Sequence, residues 1–200
     1  REKMSRAELV QAFRLDRVQQ SSAQMDAAKL LNLNGQYMAA LPFDGFLQGV
    51  RAAAGALPWG TTAEPSCFAA VARLMQSRTK LYTDVATWEY FFVDIPRYDD
   101  KAVRKFLAKP GVPEALGALA AELAQADFAT PTALEAVIAA VAARHGIEPG
   151  RLNQPIRVAV TGCTVGAGVY ETLSVLGREA VLKRLAYALD LARSAGSHAT

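Results

Sequence analysis

The sequence predicts an all-α fold, and three observations carry that prediction. Apolar residues make up 52% of the 200-residue chain and lean on alanine, the strongest helix former. Through most of the chain they recur at spacings of three and four, between residues that start and stop helices. Only one stretch, IRVAV at 156–160, reads equally as a strand or a buried helix turn, and no second strand–helix unit accompanies it.

The elements follow in order. Ser5 and Glu8 fit a capping box, and Leu9, Val10 and Phe13 then fall on one helical face. Asp26 caps DAAKLLNLNGQYMAAL, which stops before Pro42. A glycine- and proline-bearing connection runs over 52–65, and Ser66 opens CFAAVARLMQSRTKLYTDVATWEYFF. Phe68, Val71, Leu74 and Met75 form its stripe, with Arg73, Gln76 and Lys80 largely outside it. At IPRYDD, 95–100, the pattern breaks, and a boundary between two helical subdomains is placed there.

Beyond the break come DKAVRKFLAKPG, PEALGALAAELAQA and TPTALEAVIAAVAARHG. Thr132 and Glu135 form a second capping box in the last of these. Leu134, Val137, Ile138 and Val141 give its stripe, and Gly146 can end it in the left-handed conformation. Glu148-Pro149-Gly150 reads as a turn. From Tyr170 the tail reads as two helices divided at Gly177. There is no internal repeat.

Composition narrows the function classes. The net charge of +3 permits a nucleic-acid partner without arguing for one. No apolar run approaches the roughly 20 residues of a membrane span, and no signal-peptide pattern opens the chain. Because it opens on Arg1, the chain reads as a piece of a longer protein. Cys67 and Cys163 stand apart with only two histidines in the chain, which reads as reduced thiols in a cytoplasmic protein and not as a metal site. Trp59 and Trp88 read as core anchors. Asp99-Asp100 has no base or metal ligand beside it and is assigned no chemistry.

The glycines at 162, 166 and 168 invite a phosphate-loop reading, which the spacing rejects. A Walker A loop needs G-x-x-x-x-G-K-[ST], and no lysine follows here. A dinucleotide fingerprint needs a third glycine where this chain has Glu171, a carboxylate that repels pyrophosphate.

The same stretch closely resembles the C-terminal anticodon-binding region of bacterial glutamate–tRNA ligases. Asn153-Gln154-Pro155-Ile156-Arg157, Ala159-Val160-Thr161-Gly162, Gly168, Leu176-Gly177-Arg178-Glu179 and Arg184-Leu185 follow the family's Q-P-L/I-R…T-G…L-G-K/R-E…R-L order. Asp26, Lys29-Leu30, Asn34 and Tyr37 resemble the D-x-x-K-L-x-W-x-N-x-x-Y segment that follows the catalytic part. LMQSRTKL at 74–81 with Phe91-Phe92 is a third match. Asn32 stands where the family has tryptophan, and Ala167 where it has proline. The HIGH-type and KMSKS-type ATP motifs are absent, and Lys3-Met4-Ser5 matches the latter by letters only.

The resemblance implies two helical subdomains, 1–95 and 96–200, forming a curved helical cage around an anticodon loop. It turns IRVAV into helix and makes the glycine segment a base-reading loop. It implies a non-catalytic chain without cofactors, with ATP and Mg belonging to a catalytic part elsewhere. The implied partner is glutamate tRNA, bound by a cytoplasmic monomer. Arg78 matches the position that contacts the third anticodon base. A guanidinium offers only donors, which suit cytosine's O2 and N3 and oppose guanine's N1–H and N2–H2. The gain is roughly 1–3 kcal/mol of discrimination against glutamine tRNA, which makes the implied parent enzyme the discriminating type.

Arg157 matches the arginine near the anticodon, with an ion pair to Glu171 as its structural alternative. Thr164, Gly166, Ala167, Val169 and Tyr170 match the loop on the first and second bases. Stacking on Tyr170 is worth roughly 1–3 kcal/mol, against a core role for the same ring. Lys80, Arg151, Lys183 and Arg184 are candidate phosphate contacts or a solvated face. The competing reading of the whole is a helical protein-interaction scaffold without RNA.

Overall fold

The computed structural model describes residues 3–17 and 26–197. Every regular element among them is helical, IRVAV included, so the fold is all-α. Helix α1 (Arg6–Ala12) starts at Ser5, whose hydroxyl accepts from the Glu8 amide while the Glu8 carboxylate accepts from the Ser5 amide. Its apolar residues stay exposed. Helix α2 (Ala27–Ala40) is capped by Asp26, which accepts from the Ala28 and Lys29 amides, and it ends ahead of Pro42 as expected.

Helix α3 (Phe43–Ala54) occupies sequence that periodicity did not separate from the following connection. Helix α4 (Pro65–Met75) begins one residue earlier than Ser66. Its cap is Glu64, which accepts from the Ser66 amide at 2.9 Å and the Cys67 amide at 2.7 Å. Pro65 fills the first helical position, where its missing N–H costs nothing. After Met75 the chain tightens into 3-10 turns at Gln76–Arg78 and Tyr82–Phe91. With three residues per turn, Val85, Trp88 and Phe91 stack on one buried face.

These elements share an aromatic core. Trp88 and Phe68 are 6.1 Å apart, and Trp59 stacks on Phe92 at 4.5 Å and 11°. Both tryptophans are buried, as expected.

A second core gathers the rest. Helix α5 (Asp100–Ala102) runs into a π-helical stretch, Val103–Leu107. Helices α6 (Val112–Leu123) and α7 (Pro131–Arg144) follow. The expected capping box at Thr132 is not formed. Thr130 is the cap, accepting from the Ala133 amide at 3.3 Å, because Pro131 moves the helix start two residues earlier. Gly146, with φ +63°, ends α7, and the Gly146 and Ile147 amides return to Ala143 and Ala142. Glu148-Pro149 is not an isolated turn but the start of α8 (Pro149–Thr161). Helix α9 (Val169–Ser197) breaks at Gly177, as the sequence suggested.

Arg184 joins the two cores. It is 1% exposed, and its guanidinium donates to Val93 O at 2.5 Å, Asp94 O at 3.1 Å and Val160 O at 2.8 Å. It is therefore no phosphate contact but a clamp holding the connection at 93–94 against the end of α8. Lys183 beside it is exposed and pairs with Asp94.

Candidate nucleic-acid interface

A cleft of about 910 Å3 opens between the 3-10 segment and the end of α8. Arg78, Glu89, Tyr90 and Arg97 line it from one side, and the run from Thr161 to Gly166 from the other.

The Arg78 turn is braced from behind. Gln76 donates to Leu41 O at 2.9 Å and Met38 O at 3.2 Å, at the end of α2. Asn34 donates its amide to Lys80 O, and the Lys80 stem lies over Gly35. Asp84 accepts from the Lys80 and Leu81 amides at 2.8 and 2.9 Å, and the Thr79 hydroxyl donates to Met75 O at 2.8 Å. The turn is thus braced from both sides while Arg78 itself stays exposed. Asn34 does its work here, as a brace for the arginine turn.

The opposite wall is held by one face of α8. Asn153 donates its amide to the Tyr170 hydroxyl at 3.2 Å, Gln154 to Thr164 O at 2.7 Å, and Arg157 Nη1 to Ala167 O. Three residues at i, i+1 and i+4 therefore grip the loop 164–170 along its length. At the corner Gly162 has φ +73°, and a Cβ there would lie 2.0 Å from Arg97 O. Only glycine meets both conditions. Among the described residues no ion pair joins Arg157 to Glu171, and the carboxylate instead folds back over Gly168.

The structure separates the seven expected site residues. Arg78, Thr164 and Gly166 line the cleft. Arg157 is half-buried directly beneath Gly166, where a Cβ would meet its Nη1 at 3.3 Å. Ala167 is 0% exposed and packs into the aromatic core of the first half, so its methyl is an anchor for the loop and presents nothing to the cleft. Val169 is buried in the second core, and the Tyr170 ring packs against that core with its hydroxyl taken by Asn153.

Tyr90, Arg97 and Cys163 line the cleft without having been singled out. Burial pushes the Tyr90 phenol up to about 12, with the Cys163 thiol adding to the shift. The cations of Arg157 and Arg78 and the Ala167 backbone oppose it. Burial likewise lowers the Arg157 pKa, and the like charge of Arg78 adds to this against the opposing effects of Tyr90 and Glu171. Burial and Asp99 raise the Cys163 thiol. The lining combines the cations Arg78 and Arg97, with Arg157 beneath Gly166, the carboxylates Asp84, Glu89 and Asp99, and the rings of Trp88, Tyr90 and Tyr98. Its exposed guanidinium and aromatic faces suit a partner with acceptor-rich edges and flat faces. Among the described residues no group of three or more His, Cys, Asp or Glu is placed to hold a metal ion, and no helix is long and apolar enough to cross a membrane.

Comparisons with known proteins agree with this geometry. The family model of the anticodon binding domain matches residues 46–189. A glutamate–tRNA ligase of Thermobifida fusca is 36% identical over 206 residues, covering 98% of this chain and 42% of that protein. One from Salinispora tropica is 36% identical over 187 residues, covering 86% of this chain and 39% of its own length. The chain thus spans about two fifths of the length of the curated relatives it matches. A crystal structure of a glutamate tRNA ligase from Elizabethkingia meningosepticum superposes with a TM-score of 0.77 at 20% identity, over 94% of this chain and 37% of that one. The chain belongs to the anticodon-binding domain family, in the all-helical form found in glutamate–tRNA ligases.

Proposed function

We propose that this chain recognises the anticodon loop of glutamate tRNA, as the anticodon-reading part of a glutamate–tRNA ligase. The observation that carries this is the exposed Arg78 on its braced turn, facing a glycine-bearing wall with Arg157 beneath it. A guanidinium held in place offers a fixed donor set, so base choice becomes a matter of which edge carries acceptors. In this reading the halves 1–95 and 96–200 each supply one wall. Glutamate activation, with its ATP and Mg, belongs to a part of the ligase outside this chain. The protein acts in the cytoplasm as a monomer.

The test titrates the folded chain with a glutamate anticodon stem-loop and with its third-base C→G variant, at two salt concentrations. Arg78→Ala is run alongside. The C form is expected to bind more tightly by roughly 1–3 kcal/mol, and Arg78→Ala to erase the difference. Affinity for both is expected to fall as salt rises, because phosphate contacts release counterions. Equal binding of the two stem-loops by the wild type removes Arg78 as the reader. No binding at low salt removes the RNA reading and leaves a protein-interaction scaffold.

A further inference from the structure

Tyr90 lines the cleft and is 6% exposed. Its hydroxyl is fully buried and has no hydrogen-bond partner of good geometry among the described residues. The groups that favour its oxygen are donors and cations: Arg157, the Ala167 backbone and Arg78. The Ala167 carbonyl accepts from Arg157 Nη1. Cys163, the other neighbour, is held as a neutral thiol, a weak acceptor. Among the described residues the phenolic hydrogen makes no hydrogen bond. Between it and the cleft stands Gly166: a Cβ there would lie 3.3 Å from the Tyr90 oxygen and 3.3 Å from Arg157 Nη1. Gly166 itself carries no side chain over the hydroxyl.

Buried donors in folded proteins are nearly always paired. An unmade donor bond under the wall of a ligand cleft marks the place where an acceptor arrives from outside. We propose that Tyr90 is a specificity-determining residue of the anticodon site, donating its O–H to a carbonyl oxygen of one pyrimidine base that displaces the Gly166 peptide. This inference rests on the anticodon reading above.

The chemistry selects a pyrimidine. Tyr90, Arg157 and Arg78 together form a donor set. The glutamate codons GAA and GAG pair with the anticodons UUC and CUC, which are pyrimidine throughout. Each of those bases carries a ring carbonyl flanking its Watson–Crick edge. Adenine carries no carbonyl, so it leaves the tyrosine donor as unpaired as it is in the free protein.

Wild type and Tyr90→Phe are titrated with the UUC stem-loop and with three variants, each replacing one anticodon pyrimidine by adenine. Melting temperatures of both proteins are measured in parallel. Tyr90→Phe is expected to bind the UUC stem-loop about tenfold less tightly, the loss of one hydrogen bond. At one of the three positions the adenine variant binds both proteins equally, because the bond is already absent there. The variant is expected to melt no lower than wild type, since it removes a buried group that lacks a partner.

Unchanged affinity, a uniform loss across all four stem-loops, or a lower melting temperature each overturns the proposal. The last would reveal an internal partner for the hydroxyl. A wild type that binds UUC while Tyr90→Phe matches it removes only this inference. A folded wild type that binds no stem-loop at low salt removes the anticodon reading and this inference with it.

Discussion

Tyr90 and Tyr98 place two phenols where ionisation opposes folding. Burial is the main cause of the raised pKa at both, and Tyr90 is pushed up to about 12 from a usual 10. A folded pKa above the unfolded one means the folded chain holds the proton longer. The Tyr90 contribution is fully present below pH 10 and is lost as pH rises from 10 toward about 12, and that of Tyr98 is lost at higher pH still. Denaturant titrations across that window are expected to show stability falling with pH, and Tyr90→Phe to fall less steeply. The raised thiols of Cys67 and Cys163 act in the same direction from a lower starting pH. At this scale legibility was uneven. Arg78 and Arg157 were singled out because they sit in segments that match the family's motifs. Tyr90 was not, because nothing in WEYFF distinguishes a ring whose hydroxyl lacks a partner from its buried neighbours.

Among the elements, α7 offers the sharpest contrast between two threonines separated by one residue. Thr130 holds the Ala133 amide, whereas Thr132 is exposed inside the first turn. Thr130→Ala is expected to cost about 1 kcal/mol in thermal or denaturant unfolding, and Thr132→Ala a few tenths at most. Both positions match a cap by letter, and Pro131 decides between them by starting the helix early. The same rule was available at Glu64-Pro65 and Glu148-Pro149, where proline also opens a helix. The 3-10 run Tyr82–Phe91 was hidden for a different reason. Its buried residues repeat every third position, and a search at 3.6 blurs that into an extended α-helix. Capping at Ser5 and Asp26, and the breaks at Gly146 and Gly177, were legible because each rests on a local preference of one residue.

Across the whole molecule, Arg184 matters more than any surface charge. Its fork satisfies three carbonyls from two segments that share no other such clamp among the described residues. Arg184→Leu strands those acceptors and is expected to lower unfolding stability by roughly 1–3 kcal/mol for each one left unpaired. Arg184→Lys recovers only part of this, because an ammonium cannot span the fork. Lys183→Ala, which breaks an exposed pair, is expected to cost under about 1 kcal/mol. Sequence alone could not foresee the clamp: an arginine one residue past the midpoint of the kinked helix carries no mark of burial, and carbonyl partners leave no trace in composition. Nor does any spacing reveal where Ala167 goes. Its methyl, carried by the loop of the second half, completes the aromatic core of the first. Disorder in that loop therefore exposes apolar surface in the first core, so the chain is expected to melt in a single calorimetric transition, and a cut in the connection at 95–99 to leave two pieces that are each incomplete.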